Sequence, residues 1–208
     1  MFEKILIPYR FSEDDKKTID ANYHSSSDWS NSQLRPIKNK LKCYLRYLQD
    51  NKCCYCRQEL GFDYRQVDIE HIVDKKKHEN FGFEIRNLAL SCPACNSCKT
   101  DQKVLVDENI TSYPTDSNKF LIVHPYYDNY SEHIYVNYPV YVSKSPKGDK
   151  TIQYCKLSRL HDVEMRQKEI MQKKMLVNAL INTPVKPEDE ENIFNAIAEL
   201  IQLHDNDE

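Results

Sequence analysis

Alternating apolar and polar positions predict two short strands in the middle of the chain. Residues 67–73 read Val-Asp-Ile-Glu-His-Ile-Val, which alternates as a half-buried strand does. Residues 87–91, Asn-Leu-Ala-Leu-Ser, predict a second strand. The charged segment 74–82 lies between them and predicts a loop, which contains three consecutive lysines at 75–77. The lysine run is explained equally well as a solvated loop and as a contact to nucleic acid.

Apolar residues at helical spacing flank the two predicted strands. An amphipathic helix with a basic outer face is predicted over 37–50, and a short helix over 95–102. The apolar positions of the first are Leu41, Tyr44, Leu45 and Leu48. Residues 11–33 are polar and predict a loop or a short helix.

The ends of the chain give weaker patterns. Strands are predicted over 2–10, at an edge, and over 120–123 and 133–136, with 138–142 and 151–154 extending a small sheet around a turn at 145–148. Helices are predicted over 158–182 and 188–203, where apolar residues recur on one face.

These elements predict an α+β fold in four parts. An N-terminal arm covers 1–36, and a central module covers 37–105. A small β extension follows over 106–157, and a helical region covers 158–208.

Composition limits the class of protein. The chain has 208 residues, is 40% hydrophobic and contains 14 Tyr and 7 Phe, which is enough to bury a core. No apolar run approaches the roughly 18 residues that span a bilayer, and the first residues lack the features of a secretory signal. We therefore expect a cytoplasmic protein with no membrane contact. The glycine-rich fingerprints of nucleotide-binding loops are absent.

Charge is distributed unevenly along the chain. Residues 33–105 carry 14 Lys/Arg against 9 Asp/Glu, a net charge of +5, although the whole chain has −3. Residues 106–208 carry 11 against 17, a net charge of −6. A nucleic-acid surface is therefore expected on the central module, and the acidic half would repel a phosphate backbone.

Two cysteine pairs predict a structural zinc site. Cys53-x-x-Cys56 and Cys92-x-x-Cys95 make a Cys₄ set, in which each pair supplies two thiolates from one turn. Reduced cysteines without metal are the alternative. The remaining cysteines, Cys43, Cys54, Cys98 and Cys155, are expected to be packing residues.

The segment between the pairs carries residues suited to phosphodiester hydrolysis. Glu70 and His71 are adjacent, Asn87 follows, and Asn96 and Lys99 share one face of the predicted helix after the second pair. A histidine that is neutral near pH 7 can activate water, and side-chain oxygens can hold a hard cation. A Glu-His pair alone is weak evidence, but this order between two CxxC pairs is specific.

The arrangement resembles the HNH endonuclease family, whose ββα-metal fold is held by zinc. The resemblance covers about residues 50–104. The matching residues are Cys53, Cys56, Glu70-His71, Asn87-Leu88, Cys92, Cys95-Asn96 and Lys99. Many members have His where this chain has Asn96, Asp where it has Glu70, and Pro where it has Asp74.

The resemblance implies a role for each matching residue. His71 would be the general base, Glu70 and Asn96 would bind the catalytic Mg²⁺ or Mn²⁺, and Asn87 would brace the loop. Lys99 would offset transition-state charge or position a phosphate. The substrate implied is DNA, with RNA left open. The alternatives are an idle zinc module that binds nucleic acid or protein, and an RNA-cleaving toxin.

A second, looser resemblance concerns the layout of the whole chain. A central HNH module, the stretch that contains His124, Asp128 and His133, and a charged helical tail resemble the HNH subunits of Septu-type and retron-linked anti-phage systems. This implies an ATPase partner. The C-terminal helices would either dock that partner or pack on the chain's own module. The three residues of the stretch are expected to serve a hairpin rather than a second site.

Overall fold

The computed structural model describes residues 2–182, 191–192 and 194–197. The chain separates into two compact units, residues 1–158 and residues 159–208. The first unit contains both predicted strands, both cysteine pairs and the segments that flank them.

Helices and short antiparallel strand pairs make up the two units. The helices are α1 (Glu13–Asn22), α2 (Arg35–Leu48), α3 (Pro93–Lys99), α4 (Tyr130–His133), α5 (Pro146–Tyr154) and α6 (Arg159–Ile181). The strands are β1 (Asp68–His71), β2 (Leu88–Ser91), β3 (Ile134–Asn137) and β4 (Val140–Ser143). β1 pairs with β2, and β3 pairs with β4. The predicted α+β class is confirmed.

The centre of the first unit is formed by β1, β2 and α3. In the antiparallel register, Glu70 lies opposite Ala89 and His71 lies opposite Leu88. β2 is buried along its whole length, and α3 packs on β1. The side chain of Cys92 caps α3, and Pro93 occupies its first turn, where a missing N–H costs nothing. Both predicted strands and the predicted helix are confirmed.

The helix α2 packs its apolar stripe into the same core. Ile37, Leu41 and Leu45, spaced four residues apart, are almost completely buried. Ile37 also packs with Ile19 and Leu34. The segment predicted as an arm and the central module therefore share a core.

The predicted edge strand over 2–10 is wrong. Ile5 is buried and its N–H donates to the Pro125 carbonyl, but Leu6 and Ile7 are exposed. Pro8 lacks the N–H that a ladder would need. The apolar run thus anchors the chain at one residue instead of joining a sheet.

Two further predicted strands are also wrong. Residues 151–154 belong to α5, because Ser145 caps this helix and Pro146 begins it. Residues 120–123 form no ladder, and Phe120 makes only an isolated bridge to Leu105. The predicted strands near 133–136 and 138–142 are confirmed as β3 and β4.

The predicted helix over 158–182 is confirmed as α6. Three of its apolar side chains, Met171, Met175 and Leu176, are more than half exposed. The second predicted helix, over 188–203, lies for the most part outside the described residues.

The side chain of Gln49 ties the end of α2 to β2. Its Oε1 accepts from the Leu90 N–H at 2.8 Å, and its Nε2 donates to the Leu90 carbonyl at 3.0 Å. The amide therefore replaces a neighbouring strand on the outer edge of β2. Gln49 is fully buried, so water cannot take over these bonds.

We expect Gln49→Met to lower the free energy of unfolding by about 1–3 kcal/mol. Methionine fills a similar volume, but it leaves the buried Leu90 N–H without a partner. Gln33→Met, at an exposed position, is the control and should change stability by less than about 0.5 kcal/mol. Urea unfolding of both variants measures the difference, and equal midpoints would contradict this account of Gln49.

Candidate active site and cysteine cluster

The four predicted zinc ligands converge on one point. The sulfur atoms of Cys53, Cys56, Cys92 and Cys95 all lie within 4.8 Å of one another. The Cys56 and Cys92 sulfurs are 3.8 Å apart. Four thiolates at about 2.3 Å from a tetrahedral Zn²⁺ are about 3.8 Å from each other, so this donor set fits zinc.

Backbone hydrogen bonds shape the first cysteine pair. The Arg57 N–H donates to the Cys53 carbonyl at 3.1 Å, which closes a tight turn, and Arg57 has a positive φ of 60°. The Cys54 N–H donates to the Leu90 carbonyl at 2.9 Å. This second bond fastens the turn to β2, close to the strand end from which Cys92 follows.

A buried cation lies beside the cysteine cluster. The Arg57 guanidinium lies between the rings of Phe2 and Tyr130, 3.8 Å and 4.0 Å from their centroids. Burial lowers the pKa of Arg57, and the nearby Tyr130 and cysteine groups act against that shift. A cation in this position would offset the negative charge that four thiolates carry around one Zn²⁺.

A cleft of about 910 Å³ is lined by residues of β1, of the loop that follows it and of α3. Asp68 and His71 of β1 and Asn96 of α3 line it, together with the lysines at 75–77. Two of the predicted site residues, His71 and Asn96, therefore share the cleft.

His71 is held by one ring nitrogen. Its Nε2 lies 3.1 Å from the Gly82 carbonyl, which can only accept, so Nε2 carries the hydrogen. Nδ1 has no hydrogen-bond partner among the described residues and keeps a free lone pair. Burial, followed by the charge of Lys75, lowers the pKa of His71 to about 3. The imidazole is thus neutral at physiological pH.

The N-terminal segment packs over His71. The ring centroids of Trp29 and His71 are 4.4 Å apart in an edge-to-face arrangement. Tyr23 packs on Gly82, where an added Cβ would lie 1.9 Å from the Tyr23 hydroxyl oxygen. Glycine at 82 therefore allows this ring to approach the carbonyl that holds His71.

Asn87 joins the two ends of the loop between β1 and β2. Its Oδ1 accepts from the Val73 N–H at 2.7 Å, and its Nδ2 donates to the carbonyls of Val73 and Phe81. Asn87 is fully buried, so it contacts the loop backbone rather than the cleft.

Asp68 and Asn96 form a polar pair in the cleft. The Asn96 Nδ2 donates to the Asp68 Oδ2 at 2.9 Å. The amide oxygen of Asn96 and the second carboxylate oxygen of Asp68 remain as donors for a cation. Sequence reasoning did not assign Asp68 to the site. The available signal was its place two residues before Glu70, which puts both carboxylates on one face of the strand.

Glu70 lies behind this pair, in the interior. Its Oε1 is 2.8 Å from the Lys99 ammonium and accepts from the Tyr55 hydroxyl at 2.9 Å. The side chains of Glu70 and Lys99 are each only 2% exposed. Burial raises the pKa of the Glu70 carboxyl, and the Lys99 charge opposes that rise. Lys99 also donates to the His71 carbonyl at 3.1 Å.

The donor set on β1 and α3 fits a hard divalent cation. A carboxylate oxygen of Asp68 and the amide oxygen of Asn96 are available, and oxygen ligands of this kind suit Mg²⁺ and Mn²⁺. Asp68 and Asn96 line the cleft, whereas Glu70 is engaged by Lys99 and Tyr55.

The residues of the downstream stretch form a separate hydrogen-bonded cluster. Asp128 accepts from the His124 N–H at 2.7 Å and pairs with the Lys147 ammonium at 2.9 Å. The Nδ1 of His133 lies 2.6 Å from the hydroxyl of Ser145, the cap of α5. The fully buried His124 bonds the Tyr113 hydroxyl through Nε2 at 2.9 Å. These contacts join α5 to the preceding segment.

The chain is similar to a known protein family and to a known protein. Residues 53–102 match the family model described as HNH endonuclease, so the chain carries an HNH domain, the catalytic domain of a class of nucleases. The chain is also 28% identical over 149 residues to Septu protein PtuB from Bacillus thuringiensis. That alignment covers 72% of this chain and 50% of the relative, so the chain spans about half the relative's length.

None of the described helices is both long enough and apolar enough to cross a bilayer.

We expect the purified protein to contain one tightly bound Zn²⁺ per chain. Cys92→Ser should lose the metal and unfold or aggregate, because it removes one of the four thiolate ligands while the serine hydroxyl can still cap α3. Cys98→Ser, on the same helix but outside the cluster, is the control and should keep both zinc and fold. Elemental analysis and circular dichroism measure the outcome. Zinc-free protein that stays folded after chelation would contradict the prediction.

Proposed function

We propose that this protein is a metal-dependent endonuclease that hydrolyses phosphodiester bonds in DNA. The observation that carries the proposal is that His71, whose Nδ1 has no hydrogen-bond partner among the described residues, lines the same cleft as the oxygen donors Asp68 and Asn96. The HNH domain found at residues 53–102 supports it independently. A zinc module without catalytic function has no need of this combination.

In this mechanism His71 is the general base. Its Nδ1 accepts a proton from a water molecule as the water oxygen attacks the phosphorus atom. The Nε2–H stays bonded to the Gly82 carbonyl, which fixes the tautomer and favours the imidazolium that forms. Trp29 holds the ring from the other side and restricts its rotation.

A divalent cation would be held by Asp68 and Asn96, which line the cleft, while Glu70 is engaged behind them by Lys99 and Tyr55. Mg²⁺ or Mn²⁺ held there would supply neutralisation of the negative charge that develops during hydrolysis. Glu70 and Asn96 are the ligands predicted from sequence, and the cleft adds Asp68. The Asp68–Asn96 hydrogen bond orients the amide so that its oxygen remains available.

Lys99 acts as a positioning residue rather than as a phosphate contact. Its buried ammonium bridges Glu70 and the His71 carbonyl, so it fixes the position of Glu70 relative to the backbone of His71. A contact to substrate would require Lys99 to leave this ion pair, and an unpaired Glu70 charge would then remain buried.

The biological setting that we propose is defence against phage. The similarity to Septu protein PtuB supports this setting, and it suggests an ATPase partner that controls the nuclease. We place the activity in the cytoplasm, where a reducing environment keeps a Cys₄ set available for zinc.

We expect His71→Ala to lower the cleavage rate at least about 100-fold while folding and zinc content stay unchanged, because only the base is removed. The full chain should be incubated with supercoiled DNA, linear DNA and RNA, alone and together with any ATPase encoded beside it. His24→Ala, at an exposed position, is the control. Near-wild-type cleavage by His71→Ala would refute the role of His71. Cleavage of RNA but not of DNA would show that the substrate is RNA.

We expect Asp68→Asn and Asn96→Ala each to raise the Mg²⁺ or Mn²⁺ concentration needed for half-maximal cleavage about tenfold or more, since each removes an oxygen donor. Asp101→Asn removes the same charge from the same cleft and should leave the metal requirement unchanged. A chelator should abolish cleavage before it removes zinc. Metal titrations that are identical for all three variants would contradict this assignment.

A further inference from the structure

A second groove joins the candidate active-site cleft. It has a volume of about 680 Å³ and lies between α2 and the outer edge of β1. Four lining residues, Asp68, Ile69, Lys75 and Asn96, belong to both the groove and the cleft. A strand whose phosphate lies at His71 can therefore continue into the groove without leaving the protein surface.

Four cations line the groove, and none of them forms a close ion pair in the described part of the chain. Arg35, Lys38 and Lys42 project from one face of α2, and Lys75 faces them from the loop after β1. Among the described residues, no carboxylate lies within 4 Å of any of the four. Lys40, on another face of the same helix, instead pairs with Asp15 at 2.9 Å.

Close approach of these like charges is unfavourable without an anion. Burial lowers the pKa of the Lys38 ammonium, and the charges of Lys42 and Arg35 lower it further. The Lys38 and Lys42 ammoniums each donate only to a backbone carbonyl, those of Trp29 and Val67. A phosphate in the groove would relieve this repulsion.

The groove also contains Trp29, the single tryptophan of the chain. Its ring is partly exposed and packs against Phe83, with ring centroids 4.9 Å apart. The ammoniums of Lys38 and Lys75 lie 5.2 Å and 5.9 Å from its centroid. An aromatic ring surrounded by unpaired cations has the composition of a site for a nucleotide, because the base stacks and the phosphate pairs.

We propose that this groove binds an unpaired nucleotide next to the phosphate that is cut. The base stacks on Trp29, and the adjoining phosphates pair with Arg35, Lys38 and Lys42. A base in an intact duplex has both faces covered by its neighbours and cannot reach the ring. The substrate class is therefore single-stranded or locally unpaired nucleic acid. This inference rests on the proposed nuclease function for the identity of the adjacent site.

The single tryptophan makes the stacking directly measurable. Full-length, zinc-loaded protein without added Mg²⁺ or Mn²⁺ is titrated with single-stranded oligothymidine and oligouridine of about 12 nucleotides, an abasic strand of equal length and a blunt duplex. Tryptophan emission reports stacking, and fluorescence anisotropy of labelled strands reports binding. We expect both base-containing strands to quench the emission. The abasic strand should bind with little quenching, and the duplex should not quench.

Variants distinguish the contribution of base stacking to strand binding from that of the cations. Trp29→Ala should weaken binding of oligothymidine roughly tenfold, the loss of one stacked base, while its affinity for the abasic strand stays unchanged. The double variant Lys38→Ala/Lys42→Ala should weaken binding of both strands. Lys40→Ala is the matched control on α2 and should bind as the wild type does.

The outcomes distinguish this inference from the proposed function. Quenching of the tryptophan emission without cleavage of any substrate would support the nucleotide site and refute the proposed nuclease function. Cleavage with unchanged tryptophan emission would support the nuclease and overturn the site. Equal quenching by the duplex would also overturn it. If Trp29→Ala fails to fold, the titrations of the wild-type protein still decide.

Discussion

The convergence of the two cysteine pairs is the constraint on which the rest of the first unit depends. The pairs lie on either side of β1 and β2 in sequence, and their sulfur atoms meet within 4.8 Å. Strands of four residues and a helix of seven are too short to be stable on their own. A metal ion bound by these four cysteines would fix both ends of this segment at one point, so that β1 and α3 would keep a defined relative position.

The two carboxylates of β1 have different surroundings. Asp68 reaches the cleft and bonds Asn96, whereas Glu70, two residues further on, is closed in by Lys99 and Tyr55. The interior ion pair supports the strand from behind, and the cleft pair remains open to a cation. His71 gains its orientation from the Gly82 carbonyl and from packing by the N-terminal segment, so the site is completed by residues far outside the strand.

The matched HNH segment and the cationic side of the groove come from different stretches of the chain. Residues 53–102 contain the cysteine cluster and the candidate catalytic groups. Trp29 and the cations of α2 lie before this segment. The matched HNH segment thus contains the candidate catalytic groups. The residues that precede it supply the aromatic ring and the cations of the neighbouring groove. The exposed apolar side chains of α6 belong to the second unit, which the HNH segment does not include.

Local patterns in the sequence were sufficient for the elements of the core. The alternation in β1, the periodicity of α2 and the spacing of the cysteine pairs all act over a few residues, and the structure confirmed each. The pattern was ambiguous in residues 151–154, which were predicted as a strand. They belong to a helix that Ser145 caps and Pro146 begins. His71 and Asn96 could be proposed as site residues because they belong to a recognisable order of residue types.

Only the tertiary structure decided which of these side chains meet. Asp68 and Asn96 are 28 residues apart, as are His71 and Lys99, and Trp29 reaches His71 from an earlier, polar part of the chain. No short-range pattern encodes such contacts, because they depend on how the packed elements bring distant backbone segments together. The sequence by itself therefore determined the chemical groups and the elements that carry them, while packing determined which carboxylate is open and which is buried.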